Sequence, residues 1–218
     1  MLRANLLAMS FLVLGCSILI AQDDEKLKSG PKVGAFMPAP FECVNFNGPA
    51  KGRPHCLVCK FALLPSVLIF AKEPAEGKEK DFDDLLQKLE ETAAEFQDRD
   101  FSVGVVFLSP HARDSTNNAE AKEAKEIIQE AIDRKELHAR LSERGKKYKH
   151  VIVASYQAEG PKKYDISPKA ELTILFYERL KIMENWAYAP GALEGKDVEM
   201  IVKKVRDGLP LKKKMVEK

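Results

Sequence analysis

The chain has 218 residues, 45% of them hydrophobic and 31% charged, enough apolar surface for a packed core and too little bias for a disordered or collagen-like chain. Thirty-five Lys and Arg against 33 Asp and Glu leave a formal charge of +2, so no chain-wide field draws the protein onto nucleic acid or an acidic membrane face. Four cysteines and a single tryptophan are the scarce residues, and whether the cysteines staple, react or pack is the chemical question.

Residues 4–21 carry no charge and are dominated by Leu, Ile, Val, Phe, Met and Ala between Arg3 and Asp23. That pattern predicts an export signal over residues 1–21, cleaved after Ala21. An uncleaved anchor competes, because the stretch is nearly long enough to span a bilayer, and Cys16 after Val13-Leu14-Gly15 resembles a lipoprotein box. Export implies an extracytoplasmic protein, periplasmic or secreted, whose membrane contact is limited to an uncleaved N-terminal segment. Removing the signal leaves Cys43, Cys56 and Cys59 in an oxidising setting where a disulfide can persist.

Residues 22–32 read as a polar linker. From Val33 the pattern is strand-like, with Phe41, Cys43 or Val44, and Phe46 as buried positions, until the turn Asn47-Gly48-Pro49. Gly52, Pro54 and the cysteine pair fall in a loop. The continuous apolar run 66–71 predicts a strand buried on both faces. A helix over 81–96 follows from Phe82, Leu85, Leu86, Leu89, Ala93 and Phe96 on one stripe. A second buried strand covers 101–108, and Ser109-Pro110 breaks it. Asn118 is placed to cap a helix running to about Leu141, with Ala121, Ala124, Ile128, Ala131 and Ile132 as its apolar side. A third strand covers 151–154, a hairpin 171–177 and 181–189, and a last helix carries Val198, Ile201, Val202 and Val205 to Gly208. Residues 209–218 form a basic tail. Right-handed crossovers make the strand core parallel, and the closing hairpin adds antiparallel strands at one edge, giving an α/β mixed sheet flanked by helices on both faces.

This order over residues 33–208, with its final hairpin and helix and with Ser167-Pro168 before the strand at Glu171, resembles the thioredoxin-like superfamily, here with an N-terminal strand and loop extension. The resemblance implies a cis bond before Pro168 and a place for Ser167 and Pro168 beside the substrate. Lys32-Val33-Gly34 with Pro38 and Phe41 looks like the opening strand pair of the peroxiredoxin and thiol-disulfide oxidoreductase branch. The chain is also similar to small exported thioredoxin-like proteins of planctomycete bacteria with a CLVCK-type pair. It departs from the family at one place: the stretch after the first core strand, Ala71-Lys72-Glu73-Pro74-Ala75-Glu76-Gly77-Lys78, holds no cysteine. The displaced pair Cys56-Leu57-Val58-Cys59 precedes that strand and is expected towards its other end.

Such a pair closes a small disulfide or binds a metal, and both need thiolates. With His55 and Lys60 beside it, the resemblance implies thiol-disulfide exchange with protein thiols through Cys56 and Cys59. Cys56 is expected to be the more exposed and attacking sulfur, and Cys43 a resolving or packing thiol. The alternatives are a non-catalytic interaction module in which the pair is a structural disulfide, or a metal site of Cys43, Cys56, Cys59 and His55. Neither cofactor nor resident metal is called for by the leading reading, and covalent haem lacks its histidine because Lys60 follows Cys59. Loop residue His111 and the hairpin pair Trp186 and Tyr188 have structural readings, exposure and packing respectively. Lys146-Lys147-Tyr148-Lys149-His150 reads as a solvated loop. No Ser-His-Asp set, phosphate-cradling glycine loop or HExxH motif is present.

Overall fold

A computed structural model describes residues 27–75, 77–112 and 123–210. The export segment, Asn118 with the chain around it, and most of the basic tail lie outside the described residues. Seven strands and four α-helices follow in the order β1 (Cys43–Asn45), β2 (Pro54–His55), α1 (Leu57–Phe61), β3 (Ser66–Ala71), α2 (Lys80–Glu95), β4 (Ser102–Ser109), α3 (Ala124–Gly145), β5 (Val151–Gln157), β6 (Leu172–Glu178), β7 (Lys181–Tyr188) and α4 (Gly195–Gly208).

The strands form one sheet in the order β2-β1-β5-β4-β3-β6-β7. Strands β3, β4 and β5 are parallel, as the intervening helices require, and β6 runs antiparallel to β3 with β7 antiparallel to it. Alternation along β3 splits the core by face. Val67 and Ile69 join Phe82, Leu85, Leu86 and Leu89 of α2, Leu137 and Leu141 of α3, and the buried stripe of α4. Leu68 and Phe70 join Leu57, Val58 and Phe61 of α1, with Met37, Phe41 and Tyr164. Both faces are therefore covered, unequally: the long helices share one, and α1 with irregular chain covers the other. Trp186 packs in the first cluster, 4% exposed.

The N-terminal stretch differs from its sequence reading. Residues 33–42 form no strand beyond a single bridge from Phe36 to Lys181. The strand pairing starts at Cys43, with β1 between β2 and β5. Nor are the last residues of the expected linker loose. The Ser29 hydroxyl shares a buried 2.6 Å hydrogen bond with Thr173 and accepts the Ser167 N–H at 2.9 Å, while the Asn185 amide donates to the Ser29 and Pro31 carbonyls at 2.9 and 2.8 Å. Local pattern could not foresee this, because the partners lie about 140 residues away.

The apolar side expected along α3 is only half used. Leu137 and Leu141 are buried, but Ile128 and Ile132 are 60% and 44% exposed. Among the described residues, that part of the expected stripe is not packed into either core cluster.

A second polar clasp holds the α3–β5 connection. The Glu90 carboxylate accepts the backbone N–H groups of Lys149, His150 and Val151 at 2.7–3.0 Å. Asn47 donates to the carbonyls of Gly145, Tyr148 and Val151 at 2.8–3.3 Å and accepts the Val153 N–H at 2.8 Å. The Lys146–His150 stretch is thus a pinned turn with Tyr148 buried at 7% exposure, not a freely solvated loop.

Candidate functional site: the Cys56-Cys59 pair

The stretch read as a loop contains β2 and α1, elements too short to show a period. Leu57, Val58 and Phe61 are buried and put one face of α1 against the sheet. The close approach depends on Gly104 of β4: a Cβ there would stand 2.9 Å from Leu57 Cδ1 and 3.2 Å from Phe61 Cε2. Cys56 and Cys59 then sit at the outer start of the helix, joined as a disulfide with Cα atoms 5.2 Å apart, within the normal bridging range.

Cys56 is the N-cap residue of α1 and its sulfur accepts the Cys59 N–H at 3.0 Å. Cys59 and Lys60 are exposed, whereas His55 and Cys56 are half-buried. This reverses the expected order of exposure in the pair, because the cap position turns the Cys56 sulfur back onto the helix while Cys59 faces solvent. An incoming thiolate therefore meets Cys59 first. The Cys59 N–H is placed to hold charge on the Cys56 sulfur if the bond between the two opens.

The helix ends in a tight turn in which Ala62 takes φ 49° and ψ −120° and Leu64 N–H donates to Phe61 O at 3.0 Å. This is the first central position of a type II′ turn, where glycine is the unstrained residue. Ala62→Gly is expected to stabilise the protein by about 1 kcal/mol, a Tm rise of roughly 2–4 °C. A lower Tm in a melting scan would contradict the turn.

Cys43 stands opposite His55 in β1 and is 2% exposed, its S–H directed at the His55 carbonyl at 3.3 Å. Burial pushes its thiol up from 9.0 to about 12, so it packs and does not supply a thiolate at neutral pH. The sign for stability follows. Below pH 9 the thiol is neutral in both folded and unfolded chains; above it only the unfolded chain loses the proton, so stability falls with rising pH. Tyr148 and Tyr188, also raised by burial to about 12 from 10.0, join above pH 10. Melting between pH 9 and 10 is expected to show a slope of up to about 1.4 kcal/mol per pH unit from Cys43, which Cys43→Ala flattens. An unchanged slope in that variant would refute the assignment.

No three His, Cys, Asp or Glu side chains converge into a metal-holding group among the described residues. The proposed set of Cys43, Cys56, Cys59 and His55 does not assemble: Cys43 bonds to a backbone carbonyl, and the other two sulfurs are bonded to each other.

Ser167 and Pro168 are not brought to the cysteines. The Lys72 ammonium donates to the Pro168 carbonyl at 2.6 Å, at the end of β3 opposite to α1. The length of β3, about 17 Å, separates that place from the segment that follows the cysteines. The implied cis bond is also absent: no peptide bond among the described residues is cis. At the cysteine-free stretch after β3, Arg140 forms a bidentate pair with Glu73 at 2.9 and 3.2 Å. A salt bridge occupies the stretch where the resemblance would have placed a redox pair.

What the sequence reading missed is the cleft beside the disulfide, of about 450 Å³, lined by Asn45, Arg53, Pro54, His55, Lys60 and Ile152 among others. Its residues come from β1, the loop before β2, β2, α1 and β5, and His55 and Lys60 are the two that flank the cysteine pair in sequence.

The parallel β3-α2-β4-α3-β5 core, the antiparallel hairpin β6-β7 and the closing α4 make this a thioredoxin-like fold. The chain is similar to a protein disulfide isomerase of Bacteroides thetaiotaomicron, with 12% identity, 84% of this chain and 94% of that one covered, and a TM-score of 0.51. It is also similar to a thiol:disulfide interchange protein of a Bacteroides species (16%, 84% and 93%, TM-score 0.46) and to DsbE of Chlorobium tepidum (13%, 85% and 100%, TM-score 0.47). At such identities the likeness is one of fold. No protein-family model and no curated protein matches the chain.

Proposed function

We propose that the protein is an exported thiol-disulfide exchange protein whose working pair is Cys56-Cys59. The observation that carries this reading is the exposed Cys59 sulfur bonded to a Cys56 sulfur that already accepts a backbone N–H. In the forward step a partner thiolate attacks Cys59 Sγ, the Cys56–Cys59 bond breaks, and Cys56 leaves as a thiolate held by the Cys59 N–H. A second partner thiol, deprotonated, then attacks the partner sulfur of the mixed disulfide and releases Cys59. The partner dithiol is oxidised to a disulfide, the pair is reduced, and the two protons given up by the partner thiols are taken up by the Cys56 and Cys59 thiolates. Protein thiols and disulfides are the partners of this reading.

The small size of the closed loop supports turnover over a purely structural staple. The bridge closes a loop of only four residues, so the entropy it removes from the unfolded chain is worth about 2 kcal/mol, less than longer crosslinks give. A disulfide also persists only outside a reducing cytosol, which agrees with the export reading of residues 1–21. No helix of the described residues is long and apolar enough to cross a membrane.

The deciding measurement is the reduction potential of the purified protein, with its rate of reduction of insulin. The proposal expects a potential above about −250 mV and measurable turnover; a potential below about −300 mV, the range of inert structural disulfides, with no turnover would overturn it.

A further inference from the structure

We propose that the cleft beside the Cys56-Cys59 disulfide selects partners whose cysteine lies in an acidic, extended segment of a protein chain. This rests on the exchange reading above and names the substrate class of that site.

The cleft brings Arg53, His55 and Lys60 to one wall and contains no carboxylate among its lining residues. Lys60 directly follows the attackable Cys59, and Arg53 stands three residues before Cys56. The Arg53 guanidinium donates to the Pro49 carbonyl at 3.3 Å, and neither it nor Lys60 is in an ion pair among the described residues. Several cations elsewhere are held in ion pairs, Arg140 with Glu73, Arg144 with Asp83, Arg206 with Glu95 and Lys204 with Glu184. Arg53 and Lys60 thus line the cleft as cations with no carboxylate among its lining residues to neutralise them.

The surroundings extend the same sign. On the far side of Lys60 an adjoining cleft carries Lys149 and His150 with Asp100 as its carboxylate. A carboxylate one or two residues from the partner's cysteine would meet Arg53 and Lys60 while the thiolate approaches Cys59. Positive charge at that point attracts both the attacking thiolate and its acidic flanks, which raises the encounter rate and is weakened by salt. An open cleft of this volume suits side chains of an extended segment crossing the molecule's edge at β2, the outermost strand.

The test uses the oxidised full-length protein and three short single-cysteine peptides, with Glu, Gln or Lys on both sides of the cysteine. Mixed-disulfide formation with the peptides is followed by quenching and mass spectrometry, and reduction of the pair by dithiothreitol, an uncharged dithiol, is the reference reaction. The Glu peptide is expected to react about 10-fold faster than the Gln peptide and the Lys peptide slowest at low salt, the spread shrinking to about 2-fold in 0.5 M NaCl. Arg53→Glu with Lys60→Glu should reverse the order. Equal peptide rates with normal reaction towards dithiothreitol overturn the acidic-segment proposal and leave exchange standing. Failure to react even with dithiothreitol overturns exchange itself. Glutathione reacting as fast as the Glu peptide overturns the extended segment in favour of a small anionic thiol.

Discussion

Cys59→Ser is expected to abolish dithiol oxidation, with insulin reduction falling to the uncatalysed background. The variant lacks the exposed sulfur that a partner thiolate attacks, while the half-buried Cys56 remains. Its thiol keeps the hydrogen bond from the N–H of residue 59. Cys56→Ser is equally inactive in turnover but behaves differently with small thiols. Its remaining Cys59 is exposed and forms mixed disulfides readily, whereas Cys56 in the Cys59→Ser protein is shielded. Both variants lose the four-residue bridge, worth about 2 kcal/mol at most, so Tm should fall by no more than about 4–8 °C. Alkylation rates, turnover and melting on the two variants check all three statements. Retained turnover in either would show that the pair is not the working site.

Glu90→Ala is expected to lower stability by about 3 kcal/mol, because a carboxylate that serves three backbone donors is removed and they are left to compete for water. For a domain of this size that is a Tm loss of roughly 6–12 °C, well beyond most surface substitutions. Glu90→Gln keeps one acceptor oxygen and should lose about half as much. Asn47→Ala removes a donor to three carbonyls and the acceptor of the Val153 N–H, at a similar cost of about 2–3 kcal/mol. The two side chains clasp the same turn, so their effects should not add. The turn also presents Lys149, His150 and Ile152 to the clefts around Lys60, so loosening it should slow acidic thiols more than dithiothreitol. A Glu90→Ala Tm within 2 °C of the parent would refute the clasp.

Much of the fold was legible because its signals are local. The run at 66–71 coincides with β3, and the stripe from Phe82 to Ala93 is the buried face of α2. Hydrophobic period depends on neighbours a few residues away, and the alternation of strands with long helices then leaves few topologies. The same reading failed where the partner surface is distant. Ile128 and Ile132 continue a valid helical stripe, but among the described residues neither joins a core cluster. Ser29, Asn47, Glu90 and Asn185 look like surface polar residues until the chain segments they tie together are adjacent.

The candidate site divides in the same way. The sequence by itself determined that a Cys-x-x-Cys pair exists, that it precedes the first core strand, and that the stretch after that strand holds no cysteine, because these are facts of order and spacing. Only the tertiary structure decided that Cys59 is the exposed sulfur, that Cys43 is sealed in the core, and that Ser167 and Pro168 stand at the other end of β3. It alone joined Arg53, His55 and Lys60 to Asn45 and Ile152 in one cleft with no carboxylate among its lining residues. Exposure, burial and convergent charge belong to how distant segments pack against each other, and no local pattern of residues contains them.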